Sequence, residues 1–219
     1  DWLELCEVDL FQATSGRVVH DGPGELTRLR QEIRYYPDII WRKKIADWCM
    51  YLSGRDSPYN FHRVSKRGDE LTGRIYLAMY TKRVMEFCFA INKQYAPYTK
   101  WLNVLMRRLP KYVAPVAPML DELMELTDAR AKVMKQIEIN FYFAVVLAEL
   151  GLTSKPEKRE FDESLTDLTL YYSAAEIYRT LPVEYLDSSF NQIENWEPVA
   201  RKAILDPNDF VQKADEDPS

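Results

Sequence analysis

Glycine is scarce in this sequence, at 7 in 219 residues, and proline is modest at 12. Sheets joined by tight hairpins draw on more turn chemistry than that, so a strand-and-turn architecture is disfavoured. Histidine is scarcer still, with only His20 and His62. The three cysteines, Cys6, Cys49 and Cys88, are odd in number, scattered, and never in C-x-x-C spacing. That excludes a disulfide framework and a zinc site of the usual spacing. Each cysteine has apolar neighbours and reads as a buried, reduced thiol, with the cytoplasm as the expected compartment. No run of 18 apolar residues occurs, so no membrane-spanning helix is expected, and no signal-peptide pattern is visible. Also missing are a glycine-rich phosphate loop, a G-x-S-x-G nucleophile turn and an H-E-x-x-H zinc motif.

What the sequence does contain suits a folded soluble chain: 47% hydrophobic and 29% charged residues, with 14 tyrosines. A tyrosine buries a ring and keeps a polar tip, which suits a core that meets an interface. The net charge of −5 is unevenly placed. Residues 206–219 hold five acids, Asp206, Asp209, Asp215, Glu216 and Asp217, against Lys213, a net of −4. The remaining body is near neutral, which gives no global electrostatic case for nucleic acid and leaves room only for a local basic patch.

Along the chain, residues 1–23 read as an irregular linker, with Arg17-Val18-Val19-His20-Asp21 as a candidate short strand. Helical spacing begins at Gly24 with Leu26, Leu29 and Ile33, and Pro37 ends that segment. A second helix follows Pro37, carrying Ile40, Trp41, Ile45, Trp48, Cys49 and Leu52, with Gly54 as its stop. Residues 55–68 form a polar connector with room for a short helix. Asp69 is a candidate N-cap for a long helix over 70–95, broken by Pro97. A helix over 98–109 and a loop at Pro115 and Pro118 come next. The stretch from Met119 to Leu150 is helical, bent or split near Ala129. Its end, from Ile137, is apolar nearly all round and therefore central. Further helices are expected at 163–181, 183–194 and 196–205, and residues 206–219 read as an acidic, disordered tail. The sum is an all-α bundle of six to eight mostly antiparallel helices: a helical domain over 24–205 between the linker 1–23 and the tail.

Three groups of residues bear on chemistry. Tyr59-Asn60-Phe61-His62-Arg63, followed by Lys66-Arg67-Gly68-Asp69, puts cations just before a helix start. Cations and free N–H groups make a phosphate site; the bland alternative is a solvated loop capped by Asp69. Within it, Arg55 and His62 match the R-x(4–6)-H spacing of helical ribonucleases, a short pattern that arises by chance. The second group is Ile91-Asn92-Lys93-Gln94-Tyr95-Ala96-Pro97-Tyr98-Thr99-Lys100-Trp101. Here Asn92 either caps the preceding helix or faces a cleft with Tyr98 and Lys100, where the lysine meets a phosphate as a point charge. The third is a set of carboxylates, Glu86, Glu122, Glu125 and Glu138, at spacings that dictate no catalysis and read as surface charges. No nucleophile–base pair forms, so no catalytic residue and no metal ligand is assigned.

The order Leu10-Phe11-Gln12-Ala13-Thr14-Ser15-Gly16-Arg17-Val18-Val19-His20-Asp21, Gly24-Glu25-Leu26-Thr27, Tyr36-Pro37, Tyr59-Asn60-Phe61-His62-Arg63, Arg67-Gly68-Asp69 and Asn92 to Trp101 resembles DUF4037, a bacterial family of unknown function. The resemblance is clearest over residues 2–110. In that family the helical region follows an N-terminal nucleotidyltransferase domain of the polymerase-β type. The Gly-Ser turn and metal-binding aspartates of such a domain are not found in this sequence, where Asp56 and Asp69 stand alone. The opening Asp1-Trp2-Leu3-Glu4-Leu5, without methionine, is what a segment of a larger polypeptide is expected to show.

The resemblance thus implies an accessory helical domain that closes the active-site cleft and positions nucleotide or acceptor, not catalytic by itself. Its implied partners are the N-terminal nucleotidyltransferase domain and a nucleotide or small-molecule acceptor. Magnesium and a nucleoside triphosphate are implied for the full-length protein and no cofactor for this part. By analogy Asn60, Arg63, Arg67, Asn92, Tyr95, Tyr98 and Lys100 are the expected substrate-binding residues. The alternatives are a helical protein-interaction domain without ligand and a helical ribonuclease of the HEPN kind.

Overall fold

A computed structural model of the chain describes residues 2–157 and 167–185, without the side chains of Arg55 and Glu184. The regular structure among them is helical, as the scarcity of glycine and the apolar spacing predict: α1 (Glu7–Thr14), α2 (Glu25–Glu32), α3 (Asp38–Met50), α4 (Pro58–Lys66), α5 (Glu70–Ile91), α6 (Thr99–Met106), α7 (Val116–Glu125), α8 (Ala129–Glu149) and α9 (Thr169–Tyr178). A π-helical turn, Tyr51–Arg55, continues α3, and a 3₁₀ turn, Val183–Tyr185, follows α9.

Local chemistry sets most boundaries. Asp69 accepts the N–H of Thr72 at 3.0 Å and starts α5. Asp128 does the same for Ala131 at 2.7 Å, splitting the long apolar pattern into α7 and α8. Ser57 caps α4, whose first residue is Pro58, a ring already set at helical φ. Gly151 takes φ 71 after α8, where a side chain would be strained. Residues 17–21 form no strand; instead the Asp21 carboxylate accepts the N–H of Thr27 at 2.7 Å and caps α2 from outside. That bonding to Thr27 holds the Asp21 carboxyl below its ordinary range.

The core lies where α3, α5, α8 and α9 meet. Phe87 and Phe143 pack edge to face there, 4.7 Å between centroids. The all-round apolar end of α8 buries Ile137, Ile139, Phe143, Ala144, Val146 and Leu147. Several polar groups inside bond one another, whereas the buried side-chain amide of Gln136 has no partner among the described residues. The Tyr80 hydroxyl lies 2.8 Å from the carbonyl of Gln136 and 3.0 Å from Oδ1 of Asn140, whose Nδ2 donates to Asp167 at 2.9 Å. The π-helical turn shifts the carbonyl register, and side chains take up the freed groups. Asn140 donates to the Leu52 carbonyl at 3.4 Å and Asn60 to that of Gly54 at 3.0 Å. Across α3 and α9, Lys43, 1% exposed, pairs with Asp47 at 3.0 Å, and Tyr178 donates to Asp47 at 2.6 Å.

Other expectations change as well, and the helix expected over 70–95 ends at Ile91. Residues 1–23 contain a helix, α1, whose Leu10 is part of the core, so this stretch is more than a linker. Cys6 is exposed, while Cys49 and Cys88 are buried with thiols pushed up by burial. The helix expected over 163–181 is seen as Thr169–Tyr178; of those at 183–194 and 196–205 only Val183–Tyr185 falls within the described residues, and the 206–219 tail lies outside them. Among the described residues no helix is long and apolar enough to cross a membrane.

Candidate functional site

The Asn92–Tyr95 corner closes one side of a cleft of about 630 Å³. Phe11, Thr14 and Ser15 at the end of α1 and Arg34 and Tyr35 after α2 form the rest of its lining. Three segments far apart in sequence therefore build it.

The floor is aromatic. Tyr95, 4% exposed, stacks edge to face on Tyr36 at 4.9 Å and lies 5.1 Å from Tyr35, and its hydroxyl donates to the Ile33 carbonyl at 2.9 Å. Trp2 adds a further edge contact to Tyr36 at 5.9 Å. Burial first, and then the Glu7 carboxylate, push the Tyr35 and Tyr36 phenols well above their ordinary range and that of Tyr95 up to about 12. Glu7 of α1 clasps this floor: one oxygen accepts the Ala96 N–H at 2.9 Å, the other pairs with Lys44 at 3.3 Å. The Lys44 ammonium sits 4.6 Å over the Tyr36 ring.

The rim is cationic. Lys93 takes φ 52, the left-handed conformation that usually falls to glycine after a helix. The N–H of Gln94 closes that turn on the Phe89 carbonyl at 3.0 Å. The conformation places the Lys93 ammonium 3.9 Å over the Trp41 ring and 3.4 Å from Asp38. Both partners of this ion pair are about half exposed, so it binds weakly and leaves the lysine available. Arg34 is exposed, and its guanidinium has no partner among the described residues. The lining thus includes Arg34, unpaired among the described residues, and a Lys93 whose ammonium rests on Trp41 and Asp38, beside a tyrosine floor, chemistry that suits an anionic group carried on a planar or apolar body.

Of the seven residues expected to bind substrate, Asn92 and Tyr95 line this cleft; Asn60, Arg63, Arg67, Tyr98 and Lys100 do not. Asn92 spends its amide on structure. Its Nδ2 donates to the carbonyls of Cys88 at 2.8 Å and Lys111 at 2.9 Å, and its Oδ1 accepts the Lys111 N–H at 3.2 Å. That is the capping alternative, extended to a clamp on the loop after α6. Tyr95 is a buried floor residue. Tyr98 and Lys100 open α6 as exposed side chains, with the ammonium 5.8 Å over the ring.

Asn60, Arg63 and Arg67 sit on α4. Asn60 supports the π-helical turn, as described, and Arg63 donates to the Tyr59 hydroxyl at 3.0 Å. Arg67 is exposed at the C-cap of α4. The phosphate reading of this region meets an obstacle: the start of α5 already holds the Asp69 carboxylate, which accepts the Thr72 N–H, an anion held below its ordinary pKa by its bonds to Thr72. A phosphate there would be repelled. His62 lies on the buried face of α4 beside Phe61, away from any RNA backbone that would approach from solvent.

The cleft residues that sequence reasoning missed as binders are Arg34 and Lys93. Lys93 stood in the motif already singled out, but only its left-handed backbone sets it apart, and that is a property of the fold. Arg34 had a local sign in its position directly before Tyr35-Tyr36-Pro37 at a helix end.

Among the described residues no group of three His, Cys, Asp or Glu side chains is placed to hold a metal ion. The cleft rim is cationic, and so does not fit magnesium.

The comparisons agree with this geography. Residues 2–102 match the family model DUF4037, a domain of unknown function, so the resemblance carried by the motifs holds over that stretch. Every residue lining the cleft, from Phe11 to Tyr95, falls inside it. No curated protein and no solved structure matches the chain.

Proposed function

We propose that this chain is the accessory helical part of a bacterial, cytoplasmic nucleotidyltransferase, and that its α1–α2–Asn92 cleft positions the nucleotide or the acceptor without performing the transfer. The observation that carries this reading is the cleft itself: Arg34 and Lys93 stand at the rim of a tyrosine-floored cavity with Arg34 unpaired among the described residues. In this reading the two cations meet the phosphates, and the floor supports a base or an apolar acceptor. The magnesium that such a transfer uses would be held by carboxylates of another domain.

A second feature favours a partner domain beside the cleft. Helix α2 buries none of its residues and turns Leu26 and Leu29 outward, 47% and 49% exposed. It is held in place by its ends and by Arg30, which donates to the carbonyls of Thr14, Ser15 and Gly16 at the end of α1. An eight-residue helix fixed beside a cleft with its apolar side uncovered suits a surface on which a second domain packs.

Backbone amide shifts test the reading. Nucleoside triphosphates added to the full chain are expected to move the signals of residues 11–15, 34–35 and 92–95 together. Shifts confined to α4 or α6, or none at millimolar ligand, would remove the cleft from the account.

A further inference from the structure

The outer face of α6 is not used by the cleft. This helix packs on α5 through Leu102 and Met106, both buried. On its opposite side Trp101 and Val104, three residues apart, are 53% and 45% exposed, and Tyr98 at its start is 57% exposed. Lys100, Arg107 and Arg108 flank that apolar strip, and Lys111 follows in the loop. Arg107 is neutralised by a two-pronged pair with Asp121, at 3.1 and 2.5 Å. Lys100, Arg108 and Lys111 have no carboxylate partner among the described residues. The face is thus an aromatic strip edged by uncompensated positive charge.

The complement of that face is written in the same chain. Residues 204–217, outside the described residues, read Ile204-Leu205-Asp206-Pro207-Asn208-Asp209-Phe210-Val211-Gln212-Lys213-Ala214-Asp215-Glu216-Asp217. They hold two apolar pairs, Ile204-Leu205 and Phe210-Val211, among five acids and one lysine. The near-neutral body of the chain has its surplus acid here, while α6 has exposed cations without partners. Eighteen residues separate Tyr185, the last described residue, from Ile204. Extended, they reach about 60 Å, more than the roughly 40 Å across a domain of this size. Attachment in one chain gives a local concentration in the millimolar range, so a modest contact suffices.

We propose that the acidic segment 204–217 docks on the outer face of α6, its aspartates meeting Lys100, Arg108 and Lys111 and Phe210 packing on Trp101 and Val104. This contact is independent of the cleft.

The test uses the full chain. A nitroxide placed on Ala214→Cys, with the exposed Cys6 changed to Ser, is read through the amide signals of α6. Docking predicts loss of signal intensity at residues 98–108, restored by Lys100→Glu with Arg108→Glu and by Phe210→Ala. Two results overturn the proposal. One is an unchanged set of α6 signals in a chain whose core signals are intact. The other is signal loss that appears only when the label is carried by a second copy mixed with an unlabelled one. Native-like spectra of the variants separate lost docking from lost folding.

Discussion

Glu7 accepts a hydrogen bond from the backbone N–H of Ala96, 89 residues further along the chain, at 2.9 Å. The contact ties α1 to the loop that forms the cleft, and the same carboxylate pairs with Lys44. Its side chain is only 20% exposed. A charged acceptor of this kind contributes about 1.5–3 kcal/mol. Glu7→Ala should therefore lower stability by about 2 kcal/mol and shift the amide signals of residues 92–96. Unaltered signals there would mean that the loop holds its shape without α1.

Asn92 holds the loop from the other side. Asn92→Asp keeps the size but cannot donate to the carbonyls of Cys88 and Lys111. The expected loss is about 1–2 kcal/mol in denaturant unfolding, while the Lys111 N–H keeps an acceptor at this position. A stability equal to wild type would restore Asn92 to the list of free cleft groups.

The tyrosine floor makes a pH prediction. Tyr35, Tyr36 and Tyr95 titrate above the ordinary tyrosine value when folded, Tyr95 at about 12. The unfolded chain ionises near 10, so between those values the folded state binds more protons. Their contribution to stability is whole below about pH 10 and falls as pH rises from there towards 12. Ultraviolet absorbance titration should show phenolate appearing together with unfolding. Three phenols ionising at the ordinary value in a folded chain would contradict the buried cluster.

The buried pair Lys43–Asp47 joins α3 to α9 through Tyr178. Asp47→Ala removes a carboxylate that pairs with an ammonium 1% exposed and accepts from Tyr178, and should cost up to about 3–5 kcal/mol. Replacing both charges with apolar residues of similar volume should cost much less. Thermal unfolding of the single and double variants measures the difference, and equal losses would argue against a buried-charge penalty.

Much of the fold was legible because it is written locally. Asp69 is a cap that any helix would use, the break expected near Ala129 falls at Asp128, and the apolar end of α8 announces its own burial, whereas α2 and α5 end at Glu32 and Ile91, short of the stops expected at Pro37 and Pro97. Helix α1 was not legible: it has eight residues, and its hold comes from Ala96 and Lys44, which no local window contains. The cleft was half legible. The Asn92–Trp101 motif does contribute its wall, but tertiary packing divides its residues. Tyr95 turns into the floor, Asn92 is spent on Lys111, and Tyr98 and Lys100 face outward on α6. The α4 residues looked like an anion site because cations precede a helix start, yet the cap that marks that start, Asp69, carries the charge that opposes one.

The claim that the cleft positions an anionic substrate is tested most directly by calorimetry. A magnesium–nucleoside triphosphate is titrated into the full chain and into its Arg34→Gln and Lys93→Gln variants. Binding to the wild type, weakened about tenfold, or about 1.4 kcal/mol, by each substitution, is the predicted result. Equal affinity in all three proteins would contradict the account.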